Sequence, residues 1–283
     1  MKCNVYPEYR EKALEKREKG FLDEKCEGLN TGKSLRALVW ESLQDFPEDE
    51  TKASRIQAFR DYTGYLERSL GLSLVYFRSA VGYMDGMQID WDQFLCGAYD
   101  LLVMGEIELT FLSHWLSVLF EQKVAVQEKT SLLVVREPVW PIHKILLLTQ
   151  FNKNDEVATS WMARLTPACG ATATILTIMP QLPASVRQPG YAQSGLDGFL
   201  SSNTTSGIWL RHLSERLQED GIQGEICLRQ GEPETEIQQE LAESHYDLIV
   251  IGADPYHRPS HWILGGLVGS LLHWTQCPVL IAR

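Results

Sequence analysis

Short apolar runs alternate with amphipathic segments along the second half of the chain. An apolar run of about four to eight residues bounded by glycine or proline is typical of a buried strand, and apolar residues three or four positions apart are typical of a helix packed on one face. The predicted strands span residues 143–149, 171–179, 224–229, 246–252 and 277–282. The predicted helices span residues 155–169, 208–220, 232–244 and 267–272. This order predicts a parallel sheet with helices on both faces and right-handed crossovers.

The first half shows the same pattern in a less regular form. The predicted elements are strands at 34–41, 72–81, 99–105 and 132–136 and helices at 51–70 and 89–96. Residues 1–33 are rich in charged side chains and predict a solvated helix. The beginning of this half has two interpretations. Residues 34–41 form its second strand after a vestigial first strand at 1–6, or they form its first strand and one strand–helix unit is lost.

The two halves repeat one pattern at an offset of 147 residues. The matching segments are 99–105 (YDLLVMG) with 246–252 (YDLIVIG), 113–115 (SHW) with 260–262 (SHW), and 132–136 with 279–283. One register that holds without a gap is typical of an internal repeat. The sequence therefore predicts two domains, at 1–137 and 138–283, with a short proline-containing linker at 137–141.

Composition narrows the class of protein. The 283 residues are 44% hydrophobic and 22% charged, as in globular proteins, and the net charge of −11 argues against nucleic acid or an anionic membrane as a partner. No run approaches the roughly 20 apolar residues of a membrane span, and the N-terminus lacks the apolar region of a signal peptide. The six cysteines are scattered without a C-x-x-C pair, which favours reduced thiols in a cytoplasmic protein over disulfides or a zinc site.

The last 38 residues carry a resemblance to a known family. A strand ends on Gly252, Gly265 follows at a characteristic separation, a helix comes next, and residues 277–281 (CPVLI) form the last strand. This succession resembles the universal stress protein family, whose members end in a strand, G-x2-G-x9-G-(S/T), a helix and a strand. The likeness covers the second half and residues 72–136 of the first. It implies a tandem α/β protein: two open parallel five-stranded sheets with helices on both faces, packed as a pseudo-twofold pair.

The resemblance also implies an adenine-nucleotide site, for ATP or a related compound, in the second domain. Glycines let N–H groups turn toward phosphate oxygens, and the helix that follows adds the positive end of its dipole. The implied phosphate and ribose region lies in the glycine loop, and the implied adenine contacts lie at Thr177 and Ile178. The implied site residues are Leu148, Gln150, Thr177, Ile178, Gly252, Ala253, Gly265, Gly266 and Leu267.

Three positions of this site depart from the family pattern. Gln150 stands where the family has an acidic residue, Pro255 replaces the second glycine of the motif, and Gly266 replaces the Ser or Thr after the last glycine. Proline lacks an N–H, and glycine lacks the phosphate-binding hydroxyl. Gln150 can still hydrogen-bond to a ring or ribose, and His257 and Arg258 can supply positive charge. Restoring all three family residues together is expected to strengthen binding.

The first domain is predicted to be degenerate. After Gly105 it places Glu108, Val118 and Leu119 where the glycine loop would stand, and a carboxylate with two bulky apolar side chains disfavours an anion.

Several His–aromatic neighbours also occur along the chain: His114-Trp115, Tyr256-His257, His261-Trp262 and His273-Trp274. They lack the carboxylate or Cys spacing of a metal site, so they predict packing, not metal binding.

The resulting functional hypothesis is a cytoplasmic stress-response protein with a binding or regulatory role and no predicted catalytic residue. A slow ATP hydrolase is the first alternative, and a scaffold with a decayed ligand site is the second. The predicted partners are an adenine nucleotide and an unidentified protein. The two domains would form a pseudo-dimer within one chain, and two chains could form a homodimer through another face.

Two structural predictions complete the sequence-based picture. The final strands of the two domains, at 132–135 and 279–282, are apolar and would each lie at a sheet edge, so they are expected to pair antiparallel with the linker wrapped around the junction. Residues 180–207, rich in Pro, Gly, Ser and Thr, are expected to form a mobile insertion that proteases cut first.

Overall fold

A computed structural model describes residues 35–42, 50–79, 99–105, 130–152, 154–179, 195–253 and 266–283. In the first half, the described elements are β1 (Arg36–Ser42), α1 (Glu50–Leu70), β2 (Ser73–Ser79), β3 (Leu101–Met104) and β4 (Ser131–Val134). The predicted helices at 1–33 and 89–96 lie outside the described residues.

The described second half continues with strands and helices in alternation. The elements are β5 (Lys144–Thr149), α2 (Asp155–Cys169), β6 (Thr172–Met179), α3 (Gly195–Leu200), α4 (Thr205–Glu219), β7 (Gly224–Gln230), α5 (Pro233–Glu243), β8 (Leu248–Gly252), α6 (Gly266–Trp274) and β9 (Val279–Ala282). The α/β class is confirmed, and each strand and helix predicted for residues 138–283 is present, with α3 as an additional helix.

The nine described strands form one continuous sheet in the order β2-β1-β3-β4-β9-β8-β5-β6-β7. Neighbouring strands are parallel everywhere except at the junction of β4 with β9, which is antiparallel and pairs Leu133 with Leu280. The predicted antiparallel pairing of the two final strands is therefore confirmed. Because the pairing joins β4 to β9, neither strand is left as an exposed apolar edge.

The position of β1 bears on the two interpretations of the beginning of the first half. It lies between β2 and β3, as β5 lies between β6 and β8. Residues 36–42 thus occupy the place of a first strand, which favours the interpretation that one strand–helix unit is lost. The alternative first strand at 1–6 lies outside the described residues. A counterpart of β7 beside β2 is not among the described residues, so a five-stranded first unit stays a prediction.

Alternating side chains along the strands build two cores, one on each face of the sheet. Leu147, Val250 and Leu280 point to the face covered by α1, α2 and α4. Their strand neighbours Leu146 and Ile249 point to the face covered by α5 and α6. The first core runs across the β4–β9 junction, so both halves of the chain contribute to a shared apolar interior.

Polar contacts reinforce the junction. Trp161 of α2 is fully buried, and its indole N–H donates to the hydroxyl of Ser131 on β4 (2.9 Å). The same hydroxyl accepts from the backbone N–H of Arg283 (3.2 Å). In the linker, the N–H of Glu137 donates to the carbonyl of Gln276 (3.0 Å). The linker therefore contacts the loop before β9, in agreement with the predicted arrangement.

Part of the predicted insertion is helical: residues 195–200 form α3 and residues 205–207 begin α4, so assigning these residues to a loop is wrong. Phe199 of α3 is only 8% exposed and packs 6.4 Å from the ring of Phe151. Trp209 of α4 packs edge-on against the same ring at 5.7 Å. Thr204 caps α4 by accepting from the N–H of Gly207 (3.1 Å). These contacts bury apolar surface that the glycine-rich local sequence did not indicate. Residues 180–194 lie outside the described residues.

Candidate functional site

The carboxyl ends of β5, β6 and β8 meet at one edge of the sheet, where ligands of open parallel sheets bind. Leu148 on β5 pairs with Ile251 on β8, and Thr149 pairs with Thr177 on β6. At the end of β5, the side-chain nitrogen of Gln150 donates to the carbonyl oxygen of Gly252 (3.0 Å). The structure therefore brings together Gln150 and Gly252, two residues that the sequence analysis assigned to one site.

The two predicted adenine contacts differ in accessibility. Thr177 is completely buried, and its hydroxyl lies 2.9 Å from that of Thr149. Ile178 is half-buried, and Leu148 is 1% exposed with its side chain in the core beneath α5 and α6. Of these three residues, Ile178 is the one whose side chain reaches the surface at this edge.

Asp155, which the sequence analysis did not select, lies against Gln150 and Gly252. It is the first residue of α2, and its side chain is completely buried. One carboxylate oxygen, Oδ2, accepts from the backbone N–H groups of Gln150 (2.9 Å) and Asn152 (3.2 Å). The β5–α2 loop is thus folded around this carboxylate. The other oxygen, Oδ1, is buried without a hydrogen-bond partner.

Burial raises the pKa of Asp155 from 3.8 to about 7, against the opposing effect of hydrogen bonds from the N–H groups of Asn152, Gln150 and Phe151. Desolvation disfavours the ionised form, whereas N–H donors favour it. The raised pKa shows that these N–H donors do not fully compensate the cost of burying the charge. The unpartnered Oδ1 is the structural counterpart of this deficit.

The end of β8 packs directly on the start of α2. A Cβ on Gly252 would lie 2.9 Å from both the backbone carbon of Asn154 and Oδ1 of Asp155, so this close approach requires glycine. The side-chain nitrogen of Asn154 donates to the carbonyl oxygen of Ala253 (2.7 Å). Gln150 and Asn154 therefore tie the β5–α2 loop to Gly252, the last residue of β8, and to Ala253, which follows it.

Two further predicted site residues, Gly266 and Leu267, stand at the start of α6. Gly266 is exposed and has φ of +65°, a left-handed conformation that glycine adopts without strain, and Leu267 is half-buried. Gly265, Pro255, His257 and Arg258 lie outside the described residues. The structure thus places eight of the nine predicted site residues and says nothing of the loop between Ala253 and Gly266.

Comparison with known proteins identifies the family. Residues 141–283, just over half of the chain, match the sequence model of the universal stress protein family. The chain belongs to the universal stress protein family.

Individual relatives are distant. The universal stress protein Sll1388 of Synechocystis is 28% identical over 94 residues, which are 33% of this chain and 61% of that protein. This chain therefore spans less than two thirds of that relative. A universal stress protein structure from Pseudomonas aeruginosa is 13% identical with a TM-score of 0.49, covering 89% of this chain and 94% of that one. One from Archaeoglobus fulgidus is 12% identical with a TM-score of 0.48, covering 89% and 86%.

A further universal stress protein structure was determined in complex with cAMP. It is 18% identical to this chain with a TM-score of 0.38, and the match covers 50% of this chain and 98% of that one.

Of the first-half positions that the sequence analysis compared with the glycine loop, Gly105 is the described one. Gly105 follows β3, and a Cβ there would touch the ring of Phe59 at 3.7 Å. Glu108, Val118 and Leu119 lie outside the described residues.

Of the His–aromatic neighbours, only His273-Trp274 is described: His273 is exposed and Trp274 half-buried at the end of α6.

Among the residues that the structure describes, no three His, Cys, Asp or Glu side chains lie close enough together to hold a metal ion. None of the helices placed by the structure combines the length and apolar character needed to cross a bilayer.

A second polar cluster joins β7, α5 and the residue Tyr246 just before β8. Arg229 donates to Glu240 at 2.9 and 2.7 Å, and Tyr246 donates to the same carboxylate at 2.6 Å. Burial alone would raise the pKa of Glu240, but these hydrogen bonds outweigh it, and the net pKa lies below the ordinary value. Because each polar group has a partner, we interpret this cluster as a tie between α5 and the sheet.

Proposed function

We propose that this chain is a stress-response protein with a binding or regulatory role that binds one adenine nucleotide per chain. The proposed site lies at the carboxyl edge of β5, β6 and β8, between Gln150 and the glycines that border the loop to α6. Family membership supports the stress-response role. Support for the ligand comes from the chain's own residues at that edge.

The observation that carries the proposal is the contact between Gln150 and Gly252. These residues lie 102 positions apart in sequence and meet at the boundary between β5 and β8. The order of strands reverses at this boundary, because β5 connects through α2 to β6 on one side while β8 lies on the other. Such reversal points are where open α/β sheets form a crevice for ligands.

The chemistry of Gln150 suits the adenosine part of a nucleotide. Its amide nitrogen is engaged by Gly252, and its amide oxygen can accept a hydrogen bond from a ribose hydroxyl or the adenine amino group. The partly exposed Ile178 adds apolar surface for the base. The start of α6 at Gly266 supplies the positive end of a helix dipole.

Isothermal titration calorimetry with adenosine, AMP, ADP, ATP and cAMP tests the proposal. We expect one site per chain. Gln150→Ala should weaken binding about tenfold, because the variant loses a ligand hydrogen bond and the tie to Gly252. Gln223→Ala is the matched control, since Gln223 is exposed next to the amino end of β7. Two equivalent sites per chain, or equal loss in both variants, would refute the assignment.

A scaffold with a decayed site is the second candidate, and a specific observation favours it. Gln150, Asn154 and Thr177 already make hydrogen bonds within the protein, which lowers the gain available from a ligand. Absence of any thermal shift with millimolar adenine compounds would support the scaffold. Phosphate release from ATP would separate a slow hydrolase from a binding protein.

We also propose that residues 1–137 form a second, degenerate unit of the same kind. The support comes from the repeated sequence and from the order of strands, since β4, β3, β1 and β2 follow one another away from the junction as β9, β8, β5 and β6 do. Cytoplasmic location and an unidentified protein partner belong to the same proposal. The free thiols of Cys169, Cys227 and Cys277 agree with a reducing compartment.

A further inference from the structure

The groups that would attract an anion at the β5–α2 loop are occupied by the protein itself. In phosphate-binding loops, consecutive backbone N–H groups and a helix N-terminus face the ligand. Here the N–H groups of Gln150 and Asn152 point inward to Oδ2 of Asp155. Asp155 is also the first residue of α2, so its carboxylate takes the position at the positive end of that helix.

The remaining oxygen of Asp155 places negative charge against the strand end that borders the site. Oδ1 is buried and unpartnered, and a Cβ on Gly252 would lie 2.9 Å from it. A buried charge is weakly screened by solvent and salt. A phosphate beside Gly252 would therefore be repelled, whereas a neutral ribose or base would not.

From this arrangement we propose that Asp155 makes the site selective for adenine ligands of low charge, so that adenosine binds best and affinity falls with each phosphate from AMP to ATP. This inference rests on the proposed adenine site and specifies its ligand class. Asp155 acts here as a specificity-determining residue that works through charge, without touching the ligand.

The test compares adenosine, AMP, ADP and ATP by calorimetry in metal-free buffer at about pH 8, where a carboxyl with a pKa of about 7 is ionised. In the wild-type chain, ATP should bind about tenfold more weakly than adenosine. In Asp155→Asn, which keeps the size of the side chain and removes its charge, this ratio should fall at least about fivefold. Asp155→Ser is a second neutral variant that retains an oxygen acceptor at the helix start.

Glu156→Gln is the charge-matched control, because it removes the same charge from the next, partly exposed position of α2. It should leave the ratio of adenosine to ATP affinity unchanged. If Asp155→Asn weakens both ligands equally, Asp155 only positions the loop and the inference is overturned. The wild-type series is decisive even where a variant does not fold, since equal affinity for adenosine and ATP also overturns it. Failure of every adenine compound to bind refutes the proposed function itself, which is a different result from binding without charge selectivity.

Discussion

Truncation of Leu280 tests whether the two halves of the chain share one core. Leu280 is 1% exposed, lies opposite Leu133 in the antiparallel β4–β9 pair, and belongs to the apolar cluster that also contains Trp161 and Val250. Leu280→Ala removes three buried carbon atoms and leaves a cavity between the halves. From measured leucine truncations in other cores, we expect a cost of about 2–5 kcal/mol in the free energy of unfolding.

Hydrogen exchange with mass spectrometry measures where the cost falls. Because the core is continuous across the junction, the amides of β3 on one side and β6 on the other should lose protection by similar amounts. Urea denaturation gives the total. Val139→Ala is the control, since Val139 in the linker is 51% exposed and its truncation should change stability by less than about 0.5 kcal/mol.

The opposite result would be clear. If Leu280→Ala lowers protection in β6 and leaves β3 as in the wild type, the halves unfold independently and the shared core is not a cooperative unit. Val134→Lys and Leu280→Lys are harsher versions of the experiment. A buried ammonium lowers its pKa by up to about 3–5 units at about 1.4 kcal/mol per unit, which approaches the whole stability of a typical domain.

Three further predictions follow from other contacts. Asp155→Asn should remove about 4 kcal/mol of pH dependence from the free energy of unfolding in urea between pH 3.8 and about 7. The raised pKa favours the folded state only while the carboxyl is protonated, so in the wild type this contribution is lost as the pH rises. An unchanged dependence on pH in the variant would contradict this. Glu240→Gln should cost about 1–3 kcal/mol in unfolding free energy through weakened bonds to Arg229, with no effect on adenosine affinity as the control. Phe199→Ala should release α3 from Phe151 and expose residues 195–207 to limited proteolysis, a change that unchanged cleavage sites would refute.

Helix boundaries set by local chemistry were predictable from the sequence. The helix predicted at 155–169 matches α2, because Gly170 ends it in a left-handed conformation (φ +66°) with its N–H on the carbonyls of Pro167 and Thr166. Only glycine adopts this conformation at low cost, so the signal is carried by one residue. The repeat of 99–105 in 246–252 likewise predicted the parallel strands on each side of the junction.

The helix α3 was not predictable, because its stability comes from distant contacts. Gly195 and Gly198 lower the helix propensity of the segment, and six residues are too few for a helix to form alone. What holds it is burial of Phe199 against Phe151, a residue from the β5–α2 loop. Nothing in the local sequence around either residue indicates that these two rings meet.

The predicted site stays a prediction, and it omits the buried carboxylate that lies against it in the structure. The resemblance to the family selected Gln150 and Gly252, and their contact agrees with the rule that parallel strands bring their carboxyl ends to one edge. An aspartate in the first turn of a helix normally indicates a favourable interaction with the helix dipole. From sequence alone, Asp155 therefore looks like an ordinary helix-start residue and not like part of a site. Its complete burial depends on the close packing of Gly252 against α2, which is a tertiary property.

The burial of Asp155 changes how the family's acidic residue at position 150 should be restored. The N–H of Gln150 lies 2.9 Å from Oδ2 of Asp155, so a carboxylate at position 150 would stand beside a second, buried one. At a separation of about 6 Å and an effective dielectric constant of about 20, the two charges repel by about 3 kcal/mol. In contrast to the expectation from the family pattern alone, we therefore expect that Gln150→Asp will not improve adenosine binding in calorimetry, either by itself or together with Pro255→Gly and Gly266→Ser. In an Asp155→Ser background the same substitution should improve it, relative to Asp155→Ser alone. An equal gain in both backgrounds would show that the carboxylate of Asp155 exerts no electrostatic control over the site.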